Sequence, residues 1–159
     1  MLDAAQPEGL AERVTEILAA HAGVEGALLP ILHAVQADYG FVPEAALPQI
    51  AAALGQTRAE VHGVMSFYHD FRAEPAGRHV IKLCRSEACQ AMGGAALVAE
   101  AEAALGCAMG ETRADKKVTL EPIYCLGLCA CGPAAQVDGK LVGRLDAAKL
   151  AKIKSEIGA

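Results

Sequence analysis

The first half of the chain repeats a short amphipathic pattern of helical period. Apolar residues recur three and four positions apart, with polar residues between them, in residues 8–22, 30–39, 43–54 and a segment that begins after Thr57. Pro30 opens the second segment, and Gly40 and Gly55 follow the second and third, where glycine suits a helix end. The pattern predicts four short helices over residues 8–70 that pack into a small domain.

Local signals refine two of these helices. Pro43 opens the third segment, but Pro48 stands near its first turn, so this helix starts late or kinks. Thr57 and Glu60 have the spacing of a capping box ahead of the fourth helix. His62 and His69 lie seven positions apart on and after that helix, and we expect surface or interface residues there rather than metal ligands.

The pattern changes to strand-like alternation after Pro75 and Gly77, where we place a domain boundary. Strands are predicted at residues 79–84 and 117–124 and on both sides of the Asp138-Gly139 turn, within 134–145. Helices are predicted at 94–105 and 146–157, the second capped by Asp146. Pro122 predicts an edge or irregular position in the second strand.

The order β-α-β-β-β-α indicates a small α/β sheet of the thioredoxin kind. The predicted fold class is therefore α+β: a helical bundle over residues 1–77, followed by a thioredoxin-like α/β domain over residues 78–159. Side-by-side strands would bring the segments that follow residues 84 and 124 together at one edge of the sheet.

Composition removes several classes of function. The 159 residues contain no apolar run long enough to span a membrane, and the acidic start lacks the basic and apolar regions of a secretory signal. The formal charge of −5, without a block of lysine and arginine, argues against nucleic acid as a partner. The prediction is a cytoplasmic protein, in which closely spaced cysteines bind metal or do redox chemistry.

Five of the six cysteines fall in two clusters that follow predicted strands. The first is Cys84-x4-Cys89, and the second is Cys125-x3-Cys129 with Cys131 two residues further. Four thiolates complete the tetrahedral sulfur coordination of two sulfide-bridged irons. We interpret the two clusters as the halves of one metal site, a four-cysteine 2Fe-2S centre.

The residues around the cysteines suit an anionic centre. Glycine permits positive φ and close backbone approach, and four glycines lie in the two loops: Gly93, Gly94, Gly127 and Gly132. The N-terminus of the helix that begins near Gly94 adds favourable potential. Arg85, next to Cys84, either offsets the charge of the centre or contacts a partner, and both interpretations stay open.

Two other uses of the cysteines compete with this interpretation. Structural zinc also accepts four cysteines, and a zinc-stabilised interaction module is therefore the alternative of another class. The common zinc-binding loops have other cysteine spacings, which argues against it. A dithiol oxidoreductase needs C-x-x-C, which the sequence lacks. Cys107 is expected to be a free, packed thiol. Whether Cys129 or Cys131 is the fourth ligand is open on spacing alone.

The motifs resemble those of a known family, the thioredoxin-like 2Fe-2S ferredoxins of the complex I 24 kDa subunit family. Beyond the cysteine clusters, YGFVP at residues 39–43 is similar to the family's GYLP turn. VHGVMSFY at residues 61–68 is similar to its V-x-G-V-A-T-F-Y helix, and GET at residues 110–112 matches its GET. The resemblance covers nearly the whole chain.

The resemblance implies the site and the partners. Ligands would be Cys84, Cys89, Cys125 and Cys129, with Cys131 at a variable position. The chain would be an electron-transfer subunit beside a flavin- and NAD-binding subunit, and its cluster would exchange electrons with the FMN there. Family members serve complex I, NAD-linked hydrogenases and soluble molybdenum-dependent formate dehydrogenases.

The second cluster, CLGLCACGP, looks most like the gamma subunit of NAD-dependent formate dehydrogenase. That subunit belongs to a complex that oxidises formate to CO2 at a molybdenum-containing catalytic subunit. The chain itself has no G-x-G-x-x-G motif at a strand–helix junction and no P-loop, so we expect no turnover by it alone.

Overall fold

A computed structural model describes residues 7–158 of the chain. The chain separates into two compact units that divide between Pro75 and Ala76. The first unit is helical, and the second contains a five-stranded sheet. The predicted α+β fold class is confirmed. Between residues 7 and 158, no helix is long and apolar enough to cross a membrane.

The first unit contains four α-helices and one short 3-10 turn. The helices are α1 (Leu10–Ala20), α2 (Leu28–Tyr39), α3 (Leu47–Leu54) and α4 (Arg58–Phe67), and the turn is Glu44–Ala46. One buried cluster joins their apolar faces, with Val14, Leu32, Val35, Ile50 and Val61 fully enclosed. The predicted helical stripes therefore do build a single small core.

Both local signals in this unit act as predicted. Helix α3 starts late, because Pro48 occupies its first turn and the 3-10 turn precedes it. The capping box forms: Glu60 Oε2 accepts the Thr57 N–H at 2.7 Å, and Thr57 Oγ1 accepts the Glu60 N–H at 3.2 Å. His62 and His69 are both exposed, as expected.

The second unit contains five strands and three helices. The strands are β1 (His79–Cys84), β2 (Glu111–Thr112), β3 (Val118–Ile123), β4 (Ala135–Val137) and β5 (Lys140–Val142). The helices are α5 (Glu87–Ala91), α6 (Gly94–Leu105) and α7 (Ala147–Ile157), and Cys129–Cys131 forms a 3-10 turn. The sheet order is β2-β3-β1-β4-β5. Only β1 and β3 pair in parallel; the other neighbours are antiparallel.

The apolar faces of α6 and α7 cover one face of this sheet. Leu97 and Leu105 of α6 and Leu150 of α7 share a buried cluster with Ile81 and Leu120 of the two central strands. The β4–β5 turn is the predicted hairpin: Asp138 and Gly139 both have positive φ, at 47° and 81°. This turn closes the end of the sheet opposite to Cys84, since β1 begins beside it.

Pro122 occupies a locally unpaired edge, which explains why a proline is tolerated inside the sheet. Strand β2 pairs only with Thr119 and Leu120, and it ends before Pro122 is reached. Pro122 pairs with Leu83 on the β1 side alone. A missing N–H on the other side therefore removes no ladder hydrogen bond.

Two elements of this unit were not predicted. Helix α5 has only five residues and β2 only two, so neither is long enough to show a period in the sequence. The predicted order β-α-β-β-β-α therefore lacked one helix and one strand. Strand β2 is formed by Glu111 and Thr112, within the GET sequence.

Candidate metal centre

The parallel pairing of β1 and β3 brings the two cysteine segments to the same edge of the sheet. Cys84 is the last residue of β1 and is in register with Ile123, two residues before Cys125. The Cys84 N–H donates to the Ala134 carbonyl at 2.9 Å, and the Arg85 N–H donates to the Ile123 carbonyl at 2.8 Å. The segments after β1, after β3 and before β4 are thus tied to one another, as side-by-side strands predict.

Four of the five clustered cysteines form an inner and an outer pair. Cys84 and Cys89 are buried, at 5% and 2% exposure, and their thiols are hydrogen-bonded to each other. Cys125 and Cys129 are exposed, with their sulfurs 3.8 Å apart. Within residues 7–158, no three His, Cys, Asp or Glu side chains are placed around a single metal ion. Two sulfur pairs instead suit two irons, each of which takes two cysteines.

Helix α5 positions the second thiol of the inner pair. Ser86 has the extended backbone of an N-cap, and α5 then runs from Glu87 through Cys89 to Ala91. Cys89 belongs to this helix rather than to an irregular loop. Gly94 makes the arrangement possible, because a Cβ on that residue would lie 2.6 Å from the Cys89 carbonyl oxygen.

Backbone N–H groups point at the sulfurs of the site. The Gly127 N–H donates to Cys125 Sγ at 3.4 Å. The N–H groups of Ser86 and Cys125 donate to Cys84 Sγ, and the N–H group of Ala134 donates to Cys89 Sγ. Such hydrogen bonds stabilise thiolate sulfur and tune the potential of an iron–sulfur centre. The sequence analysis did not identify Ser86 or Ala134, although a serine directly before a short helix is a recognisable capping signal.

The same contacts alter the acidities of the thiols. Burial opposes ionisation of Cys84, but the N–H of Ser86, the thiol of Cys89 and the N–H of Cys125 together lower the pKa of Cys84 to about 7. Burial, followed by the hydrogen bond to Cys84, raises the pKa of Cys89. The hydrogen bond and charge of Cys125 raise the pKa of Cys129. The thiols therefore interact as one cluster rather than as independent groups.

The second cysteine segment bends sharply through two residues with positive φ. Gly127 has φ 74°, as its predicted freedom requires, and Cys125 has φ 77° although it is not glycine. A non-glycine residue in this region costs of order 1 kcal/mol or more, and such residues concentrate at functional sites. Gly132 does not need the conformational freedom predicted for it. Its φ is −67°, and a Cβ at this position would lie 3.5 Å from Cys89 Sγ, an ordinary van der Waals contact.

The two remaining cysteines occupy different surroundings. Cys131 packs against Gly143, since a Cβ added to Gly143 would lie 3.0 Å from Cys131 Cβ. The carbonyl of Cys131 accepts the Arg144 N–H at 2.5 Å. Cys107 is buried in the core beneath the sheet, and burial raises its pKa. Its predicted packing is confirmed.

The donor set fits a 2Fe-2S cluster. Two pairs of sulfurs come from separate segments of the chain, every pair has backbone N–H donors, and the outer pair is exposed to solvent. Cys84, Cys89, Cys125 and Cys129 are the residues that could hold it. Arg85 adds a further feature, because its Nε is buried and has no hydrogen-bond partner.

Comparison with known proteins agrees with this geometry. The family model of the thioredoxin-like [2Fe-2S] ferredoxins matches residues 14–157. An NADH-quinone oxidoreductase subunit from Pseudomonas aeruginosa is 37% identical over 127 residues, which are 80% of this chain and 76% of that protein. An NADH-quinone oxidoreductase subunit from Rhizobium meliloti is 35% identical over 139 residues, 87% of this chain and 83% of that protein.

Solved structures give the same result. The crystal structure of an NAD+-reducing [NiFe]-hydrogenase in the H2-reduced state matches with a TM-score of 0.71 and 29% identity, over 83% of this chain. The chain spans about a fifth of that hydrogenase chain, since only 22% of it is covered. Among the two explanations of the cysteines, these matches favour iron–sulfur over zinc and confirm the predicted cofactor. The chain belongs to the thioredoxin-like [2Fe-2S] ferredoxin family.

Proposed function

We propose that this chain is the 2Fe-2S electron-transfer subunit of an NAD-dependent formate dehydrogenase complex, with Cys84, Cys89, Cys125 and Cys129 as the cluster ligands. The single observation that carries the electron-transfer role is the pairing of the four sulfurs at one sheet edge, with the outer pair exposed. When bound, a 2Fe-2S cluster accepts and returns single electrons. The family and the relatives support an oxidoreductase subunit.

The two cysteine pairs differ in their access to solvent. Cys84 and Cys89 are buried with Ala134 in a small apolar cluster, which excludes water from the inner side of the site. Cys125 and Cys129 remain open to solvent, so the outer side can approach a redox partner. The backbone donors favour thiolate over thiol at the sulfurs.

The surface beside the outer pair supports docking of a partner protein. Tyr124, directly before Cys125, is 73% exposed. Exposed aromatic side chains are enriched at protein interfaces. We assign to this surface the flavin- and NAD-binding subunit, whose FMN would exchange electrons with the cluster, and through it a molybdenum-containing catalytic subunit.

The helical unit, predicted as residues 1–77, is proposed as a second docking element, because the aromatic side chains of Phe67 and Tyr68 lie exposed at the end of α4. Phe67 at the end of α4 is 73% exposed, and its ring meets Tyr68 edge-on at 5.1 Å. The proposal places the complex in the cytoplasm, with no nucleic-acid partner. The chain alone is not expected to turn over any substrate.

The formate dehydrogenase assignment is supported by the sequence CLGLCACGP at residues 125–133. A second candidate is favoured by the relatives, which are NADH-quinone oxidoreductase subunits and an NAD+-reducing hydrogenase. In that case the chain serves respiratory complex I or a bidirectional NAD-linked hydrogenase in the same electron-transfer role.

One experiment separates these parent complexes. The native complex is purified anaerobically through a tag on this chain, and formate, H2 or NADH is added to separate samples. Electron paramagnetic resonance follows the 2Fe-2S signal, and absorbance follows NAD+ reduction. Formate is expected to reduce both the cluster and NAD+. Reduction by H2 and not by formate would assign a hydrogenase, and a response to NADH alone would assign the complex I role.

A further inference from the structure

Arg85 is held beside the candidate cluster with one donor unsatisfied. Its backbone is fixed at both ends: the N–H donates to the Ile123 carbonyl at 2.8 Å, and the carbonyl accepts Gln90 Nε2 at 3.4 Å. The residue follows buried Cys84 directly. Its side-chain Nε is buried and has no hydrogen-bond partner. Among the described residues, no other buried side-chain nitrogen or oxygen atom lacks a partner.

A buried donor without a partner is costly. Leaving such a group unpaired forfeits its hydrogen bond to water without replacing it, and this loss is larger when the group is charged. The guanidinium group carries a positive charge, which makes an unpaired donor on it more costly than one on a neutral group. The backbone of Arg85 is tied to β3 and to α5, so the residue stays next to Cys84 in the inner segment. The geometry therefore calls for an acceptor that the polypeptide itself does not provide.

Cys84, directly before Arg85 in the chain, carries a sulfur that would be an anionic acceptor in the proposed cluster. The N–H groups of Ser86 and Cys125 already donate to Cys84 Sγ. Within residues 84–91 of the inner segment, Arg85 is the one cationic side chain, and Glu87 is the only acidic one. Glu87 is exposed, whereas Arg85 is half-buried. A cationic side chain next to Cys84 in the chain, with its Nε buried and unpartnered, favours an anionic group nearby.

We propose that Arg85 is a positioning residue of the iron–sulfur site, which donates its Nε–H to a sulfur of the bound cluster and raises the reduction potential. This inference rests on the proposed function, since it assumes the ligand set given there. One-electron reduction adds one negative charge to the site and requires no proton. A fixed positive charge with a hydrogen bond at that site stabilises the reduced state more than the oxidised state.

Two variants of Arg85 and one control variant separate the effect of the Nε–H hydrogen bond on the reduction potential from the effect of the positive charge. Arg85→Met removes both, and Arg85→Lys keeps the charge but lacks the guanidinium Nε–H. Arg78→Met is the control, because Arg78 is exposed and stands before the opposite end of β1. In a mediated redox titration of the full chain, Arg85→Met is expected to shift the midpoint to a more negative potential. Arg85→Lys should shift it less, and Arg78→Met should leave it unchanged.

A measurement on the unaltered sequence keeps the proposal testable if Arg85→Met loses its cluster. Protein labelled with 15N at arginine Nε is reduced with dithionite, and pulsed electron paramagnetic resonance detects nitrogen coupled to the cluster spin. A labelled-arginine coupling is expected in the parent and in Arg78→Met, and it should be absent in Arg85→Lys.

The outcomes distinguish this proposal from the one on which it rests. A normal 2Fe-2S signal with no arginine coupling, or an unchanged midpoint potential in Arg85→Met, would overturn the role of Arg85 and leave the proposed function standing. If the parent chain forms no 2Fe-2S signal after anaerobic reconstitution, the proposed ligand set fails, and the inference about Arg85 fails with it.

Discussion

Cys84 and Ile123 are partners at the last register position of the parallel strands β1 and β3. This pairing places Cys125, two residues after Ile123, beside the segment that carries Cys84 and Cys89. Two cysteine segments that are far apart in the sequence thus meet because the strands end level with one another. The metal centre therefore follows from strand register.

Replacement of an inner ligand should remove the cluster. Cys84→Ser eliminates a buried sulfur that the N–H groups of Ser86 and Cys125 support. We expect the visible absorption and the iron content of the anaerobically purified protein to be lost or strongly reduced. Cys107→Ser is the control, because Cys107 is buried in the core and away from the paired thiols. A normal spectrum in Cys84→Ser would contradict the ligand assignment.

The fourth ligand can be tested by exchanging two neighbouring cysteines. Cys129 Sγ lies 3.8 Å from Cys125 Sγ, whereas Cys131 packs against Gly143. Cys129→Ser should therefore shift the absorption bands or abolish them, and Cys131→Ser should leave the spectrum and the iron content as in the parent. The reverse result would make Cys131 the ligand.

The surface at Tyr124 should matter for assembly and not for the cluster. Tyr124→Asp places a charge where we expect the flavoprotein to bind, and it should weaken association by about tenfold or more, as for an aromatic interface anchor. Leu141→Asp is the matched control, since Leu141 is 54% exposed on β5. Both variants should keep the parent spectrum. Equal retention of the partner by Tyr124→Asp and Leu141→Asp in tag purification would exclude this surface.

The hairpin turn gives a prediction about pH. Burial acts against ionisation of Asp138, but His79 at 2.8 Å and the Val80 N–H lower the pKa of its carboxyl. A lowered folded-state pKa means that the carboxylate stabilises the fold fully above its unfolded pKa of about 3.9, and less as pH falls through the folded value.

Asp138→Asn tests this without disturbing the turn, since asparagine also tolerates the positive φ of 47° at this position. The side chain is 41% exposed, so screening limits the loss in free energy of unfolding at pH 7 to about 0.5–1 kcal/mol. Denaturant titrations should show this loss at pH 7 and its disappearance at a second pH below the folded-state pKa of Asp138. A loss of equal size at both pH values would assign the effect to shape rather than charge.

Much of this architecture is predictable because its signals are local. The capping box of Thr57 and Glu60, the late start of α3 at Pro48 and the Asp138-Gly139 turn depend on residues within a few positions of one another. The two cysteine segments are also recognisable, because close spacing of thiols is rare without a metal or redox role.

The remainder depends on contacts that no local pattern contains. Helix α5 and strand β2 are too short to show a period. The donation of the Ala134 N–H to Cys89, the left-handed backbone of Cys125 and the unpartnered Nε of Arg85 arise only when three separate segments converge. The sequence places Arg85 beside Cys84, but the burial of its Nε is a property of the folded chain.

The central claim is that the four paired cysteines hold a 2Fe-2S cluster. Its most direct test is an absorption spectrum of the anaerobically purified, reconstituted protein, with iron, zinc and acid-labile sulfide assayed on the same sample. We predict a red-brown protein with visible bands that bleach on addition of dithionite, and about two irons and two sulfides per chain. A colourless protein that holds one zinc and no labile sulfide would contradict the account.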